Sequence, residues 1–140
     1  MSRLRERILA EEENVELALA NLSRAMARPE RTVVELAAAA SFVSSVYNGI
    51  ENILKQILAD RSIDTPKSGA WHQELLKRSV AEKVVSTELA QELKEYLGFR
   101  HFFVHGYGFM VTEEPLQALA SRLPEVWVRF MAEVGSALGG

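Results

Sequence analysis

The stretch "GFRHFFVHGYG", residues 98 to 108, holds Arg100, His101, His105 and Tyr107 among Phe99, Phe102, Phe103 and Val104. These are groups suited to gripping or attacking a phosphate. A guanidinium presents a planar fork that meets two phosphate oxygens at once. An imidazole changes charge near neutral pH, so it can take or give a proton. A phenol adds one more reactive oxygen. Two of the chain's three histidines fall inside these eleven residues. Such a segment is either a polar helix end or a reaction centre, and the choice depends on what surrounds it.

The elements that must position these groups read as helices. Residues 3 to 27 carry Leu4, Ile8, Val15, Leu19, Leu22 and Met26 at spacings of three, four and seven, the period of one helix face. "RPER" interrupts the pattern, with Pro29 suited to the first turn of a new helix. From about Thr32 to Asp60 a second stripe runs through Leu36, Val43, Tyr47, Ile50, Leu54 and Leu58. "RSIDTPKSG" reads as a loop and "AWHQELLKRSV" as a short helix. "STELAQELKEYLGFRHFFVHGYG" opens with a capping-box pattern, Ser86 or Thr87 capping and Glu88 or Gln91 in the first turn. It closes at Gly106 and Gly108. After "TEEP", residues 116 to 138 form a last helix, bent at Pro124. The expected fold is all-α, a single domain over residues 1–140. It is an antiparallel bundle of four longer helices with one short helix inserted.

Composition narrows the function classes. Hydrophobic residues make up 48% and charged residues 25%, as in an ordinary globular protein with a real core. The absence of cysteine excludes disulfides and thiolate metal sites and fits a reducing cytoplasm. No uninterrupted apolar run approaches the roughly 18 residues of a membrane span, and the N-terminus carries no signal segment. A net charge of −3 provides no global field to collect polyanions, so any phosphate binding must be local.

At about 100° per residue, Leu89, Leu93, Tyr96, Leu97 and Val104 define one apolar stripe, and Arg100 projects near its centre. His101 and His105 lie one turn apart to the side of it. An arginine in a core stripe is costly unless something pairs with it. In "YNGIENIL", Tyr47, Glu51 and Leu54 share a face, so Arg100 is expected to meet either Glu51 or an anionic ligand, in a cleft. Each residue also has a structural role open to it. Arg100 could tie two helices through Glu51, His105 could answer the helix dipole, and Tyr107 could be a half-buried aromatic. His101 and His105 form half of a zinc site, but the glutamate of H-E-x-x-H and a third ligand are missing, so no metal is expected.

The order of residues goes further. "FRHFFVHGYG" resembles the Arg-x4-His signature of the HEPN superfamily, and its Arg-x4-His-x-Tyr form resembles that of HepT-like ribonuclease toxins. "SSVYNGIENILKQIL" is similar to the second-helix segment of that family. "GAWHQELLKRSV" is similar to its short inter-helix segment with the Trp-His pair, and "LPEVWVRFMAEV" to its last helix. The matches spread over most of residues 36 to 134. One position departs from the pattern. The residue after the arginine, often asparagine in the superfamily, is His101 here, which alters the geometry or adds a second titrating group.

The resemblance implies a metal-independent endoribonuclease that needs no cofactor. RNA carries its own nucleophile, the 2′-hydroxyl, so the protein has only to move protons and stabilise charge. By resemblance His105 takes the acid–base role and Arg100 the phosphate role; the helical pattern itself adds His101 and Glu51 as supporting groups. The expected products carry 2′,3′-cyclic phosphate and 5′-hydroxyl ends. The resemblance also implies a homodimer in which two motifs face a shared cleft, supplying a second histidine; His101 is the alternative within one chain. Tyr107 corresponds to the tyrosine on which a partner nucleotidyltransferase antitoxin places AMP, adding charge and bulk where the RNA phosphate sits. Two other classes remain. One is a non-catalytic HEPN module binding RNA, nucleotide or the partner nucleotidyltransferase. The other is a structural dimerisation domain, in which Arg100 pairs only with Glu51 and the cleft is closed.

Overall fold

Helix α1, Arg3–Met26, starts where the Ser2 hydroxyl accepts a hydrogen bond from the Arg5 backbone N–H at 3.2 Å. Helix α2, Val33–Asp60, starts later than Pro29 suggests. The Thr32 side chain accepts from the backbone while Glu35 reaches back to Thr32, a complete capping box. That box satisfies the first orphan N–H groups, which Pro29, left in the connector, does not. The structure, a computed structural model, describes residues 2–65, 67, 69–107 and 112–139, with backbone only at 106 and 107.

Contacts between the first two helices run in opposite order along each. Arg7 donates to Gln56 at 3.2 Å, Asn52 donates to Glu11 at 3.3 Å, and Val15 packs on Gly49. The pair is therefore antiparallel. A Cβ at Gly49 would collide with the Val15 side chain, so the close approach of the two backbones depends on that glycine.

Helix α2 is the centre of the molecule, packed on α1 and on three later elements: α3 (Trp71–Ala81), α4 (Thr87–Phe102) and α5 (Glu113–Ala137). Its Tyr47, Ile50, Ile53, Leu54, Ile57 and Leu58 are fully buried. By length and mean hydropathy α2 is apolar enough to cross a bilayer, although its apolar residues do not form one uninterrupted run. In the fold its buried apolar residues belong to one hydrophobic cluster shared by all five helices. Among the described residues there is no strand, and the architecture is the all-α bundle of four longer helices and one short one.

Helices α4 and α5 are also antiparallel, as their cross-links show. Tyr96 donates to the Leu119 carbonyl at 2.7 Å, while Arg122 meets Glu95 at 3.0 Å and Arg129 meets Glu92 at 3.1 Å. Ser86 caps α4, accepting from Leu89 N–H at 3.1 Å. The side-chain acceptor completing that cap comes from neither Glu88 nor Gln91. Glu133 of α5 accepts from the Ser86 backbone N–H at 2.6 Å and from its hydroxyl at 3.0 Å. Helix α5 begins at Glu113, earlier than expected, and is continuous through Pro124.

The end of α4 differs most from simple helical phase. Residues Phe103–Tyr107 form a π turn, so the chain does not stop at Gly106; Gly108 lies outside the described residues. A wider turn moves each following side chain off the α-helical register. Val104 therefore leaves the apolar stripe and is 56% exposed.

Candidate active site

Three successive contacts of α2 define the site. Tyr47, Asn48 and Glu51 lie within one turn, so their side chains share a flank of the helix. Glu51 is 3% exposed, and its two carboxylate oxygens lie 2.8 and 3.0 Å from Nδ1 of His72. A buried carboxylate is costly unless it accepts hydrogen bonds, and His72, in the first turn of α3, supplies them. Arg100 does not pair with Glu51. Its Nε donates to Oδ1 of Asn48, and its side chain has no other hydrogen bond or ion pair among the described residues. The short helix α3, packed on both α2 and α4, delivers an imidazole to Glu51 and leaves the guanidinium to a neutral amide.

Arg100 is therefore a half-buried cation with no ion-pair partner among the described residues. Its terminal nitrogens make no hydrogen bond or ion pair among the described residues. Tyr47 lies in the field of both charges. Burial first, and then the Glu51 carboxylate, pushes its phenol far above the usual range, while Arg100 pulls the other way. Its hydroxyl is buried and makes no hydrogen bond of ordinary geometry among the described residues.

His101 and His105 come together as their spacing suggests. Their ring centroids are 4.1 Å apart with planes inclined by 52°, and both residues are exposed. His101 also lines a groove of about 740 Å³ between α3 and α4, with His72, Lys77 and Lys94 on the same walls. No group of three metal-ligating side chains forms among the described residues. The Tyr107 side chain lies outside the described residues.

A family model described as HepT-like protein matches residues 38–137. The chain belongs to the HepT-like family. The matched span runs from α2 through α5 and contains Asn48, Glu51, His72, Arg100, His101 and His105. Membership makes the HepT-like chain a HEPN-type module, of a family generally related to nucleases and generally paired with nucleotidyltransferase antitoxins. No curated protein and no solved structure matches the chain.

In this HepT-like chain, sequence reasoning brought Arg100, His101 and His105 together but missed Asn48 and the use of His72. Asn48 had a signal, since it stands three residues before Glu51 and so on the same flank. His72 had only its place beside Trp71, against whose ring it lies with centroids 3.5 Å apart. The structural role for Arg100, a tie to Glu51 in a closed cleft, does not match what is found. The partner is Asn48, and the groove lined by the next residue, His101, is open.

Proposed function

We propose that this HepT-like protein is a metal-independent endoribonuclease. It is the toxin of a HEPN/nucleotidyltransferase pair and acts in the cytoplasm. The observation that carries this reading is Arg100, held at Nε by a neutral amide and in ion-pair contact with no carboxylate among the described residues. A guanidinium so placed suits the non-bridging oxygens of a phosphodiester, where charge grows as the 2′-oxygen attacks. His105, five residues on and exposed, exchanges the proton at the reacting oxygens.

Two proton transfers call for two groups. A homodimer that faces two motifs across one cleft brings a second His105, and exposed Val104 beside it offers apolar surface for a second copy to cover. His101, in ring contact with His105, is an alternative to the second protomer within one chain. Because the nucleophile belongs to RNA, no metal is needed to create one. Nucleotidylation of Tyr107 by the antitoxin adds negative charge and bulk that compete with the RNA phosphate, and stops cleavage.

The test is incubation of purified protein with a short RNA in the presence of chelator, followed by end-group analysis. The expected result is unchanged cleavage, with 2′,3′-cyclic phosphate and 5′-hydroxyl ends. RNA that is bound but left intact makes the chain a binding module instead. Activity lost in chelator and restored by a divalent metal returns the two histidines to the role of ligands. Tyr107→Phe should cleave as the wild type does and resist modification by a nucleotidyltransferase.

A further inference from the structure

We propose that His72 is the general base of this site, taking the 2′-hydroxyl proton at Nε2 while the buried Glu51 carboxylate holds Nδ1. The inference rests on the ribonuclease reading above. A carboxylate can only accept hydrogen bonds, so the ring proton facing it sits on Nδ1. With Nδ1 fixed 2.8 and 3.0 Å from the two Glu51 oxygens, the nitrogen left with a free lone pair is Nε2. It has no partner among the described residues, and the His72 side chain is 23% exposed, on the groove it shares with His101. This arrangement fixes one tautomer, orients the ring and stabilises the imidazolium that forms when a proton is taken. Neither His101 nor His105 has a carboxylate behind it among the described interactions.

The surroundings suit RNA. Lys77 of α3 and Lys94 of α4 stand on the groove walls and can meet the phosphates that flank the scissile one. The charged groups around His72 are Glu51 from α2, Glu74 and Lys77 from α3, and Lys94 and His101 from α4. Lys55 is stationed over the neighbouring Trp71, with Nζ 4.4 Å from the ring centroid. In the proposed step the O2′–H bond breaks and its proton passes to Nε2 of His72. The 2′-oxygen bonds to phosphorus, the P–O5′ bond breaks, and protonated His105 gives its proton to the leaving 5′-oxygen. No metal, oxidant or other co-reactant enters.

The experiment compares wild type, His72→Gln, Glu51→Gln and His105→Ala on a short RNA and on its analogue with sulfur at the bridging 5′ position. Thermal melts accompany each variant. A thiolate leaves without protonation, so loss of the general acid is rescued by the analogue and loss of the general base is not. In His72→Gln the new side-chain amide can still donate to Glu51. The expected result for that variant is a fall in kcat of about 10²–10³, with KM nearly unchanged and no rescue by the analogue. The rising limb of its pH–rate profile should vanish. His105→Ala should be rescued, and folded Glu51→Gln should lose kcat rather than KM. His72→Gln that cleaves like wild type, keeps the rising limb at a lower rate or is rescued by the analogue overturns the assignment and leaves the ribonuclease reading intact. Full activity in Glu51→Gln also overturns it. Wild type that cleaves neither RNA overturns both readings.

Discussion

Arg100 donates through Nε to the side-chain oxygen of Asn48, and the carboxylate nearest in the helix pattern, Glu51, is taken by His72 instead. The guanidinium is thus aimed by a group that does not neutralise it. Removing it leaves one amide without a partner and strands no buried charge. Arg100→Ala should lower stability by only about 1 kcal/mol while reducing kcat/KM on RNA by about 10²–10³. Binding should weaken as well. Asn48→Ala should give a smaller loss in the same direction, since the fork remains but is no longer aimed. Melting curves and kcat/KM for both variants check this. A large fall in melting temperature with normal cleavage would make the pair structural.

Gly49→Ala tests the α1–α2 packing. The added methyl would meet the Val15 side chain inside a buried contact, so the two helices must move apart. The expected destabilisation is about 1–3 kcal/mol, read by denaturant unfolding. Val15→Ala in the same chain should recover part of it by vacating the space. A Gly49→Ala protein as stable as wild type would show that the approach of the two helices is looser than described.

How much of this was legible beforehand differs by element. The four long helices were, because apolar residues recur every three or four positions along each, as Ile8, Val15 and Leu22 do in α1. The burial of α2 on nearly every side, packed on all four other helices, goes beyond the single stripe its pattern showed. Arg100, His101 and His105 were legible as a group because all three sit on one helix within two turns. The partner of Glu51 was not. Whether His72 or Arg100 reaches it depends on where the short helix α3 comes to rest, which a loop decides. The cap of α4 escaped for a similar reason, since Glu133 reaches Ser86 from another helix, 47 residues away in the chain. The π turn left no mark in the residue pattern, so the exposure of Val104 could not be foreseen.

Alkaline pH should weaken the fold through its buried phenols. Burial pushes Tyr96 up to about 12, from an ordinary value near 10, and Tyr47 moves in the same direction. The folded state therefore holds these protons more tightly than the unfolded chain. Their contribution is complete below about pH 10 and falls as pH rises towards 12. Unfolding free energy should decline across that window. Tyr96→Phe should lose about 1 kcal/mol at neutral pH with its bond to the Leu119 carbonyl, yet decline less steeply in alkali. A slope unchanged by the substitution would assign the alkaline loss to other groups.

The most direct measurement of the central claim is cleavage of a short RNA by His105→Ala, with RNA affinity and melting temperature recorded on the same protein. His105 is exposed in the π turn that follows α4, so its removal should leave the fold intact. The predicted result is a folded protein that binds RNA nearly as well as wild type, because Arg100 still meets the phosphate. Its cleavage should be lower by at least about 10²-fold, the usual scale for losing a positioned acid or base. A folded His105→Ala protein that cleaves RNA at the wild-type rate would contradict the assignment of this motif to catalysis.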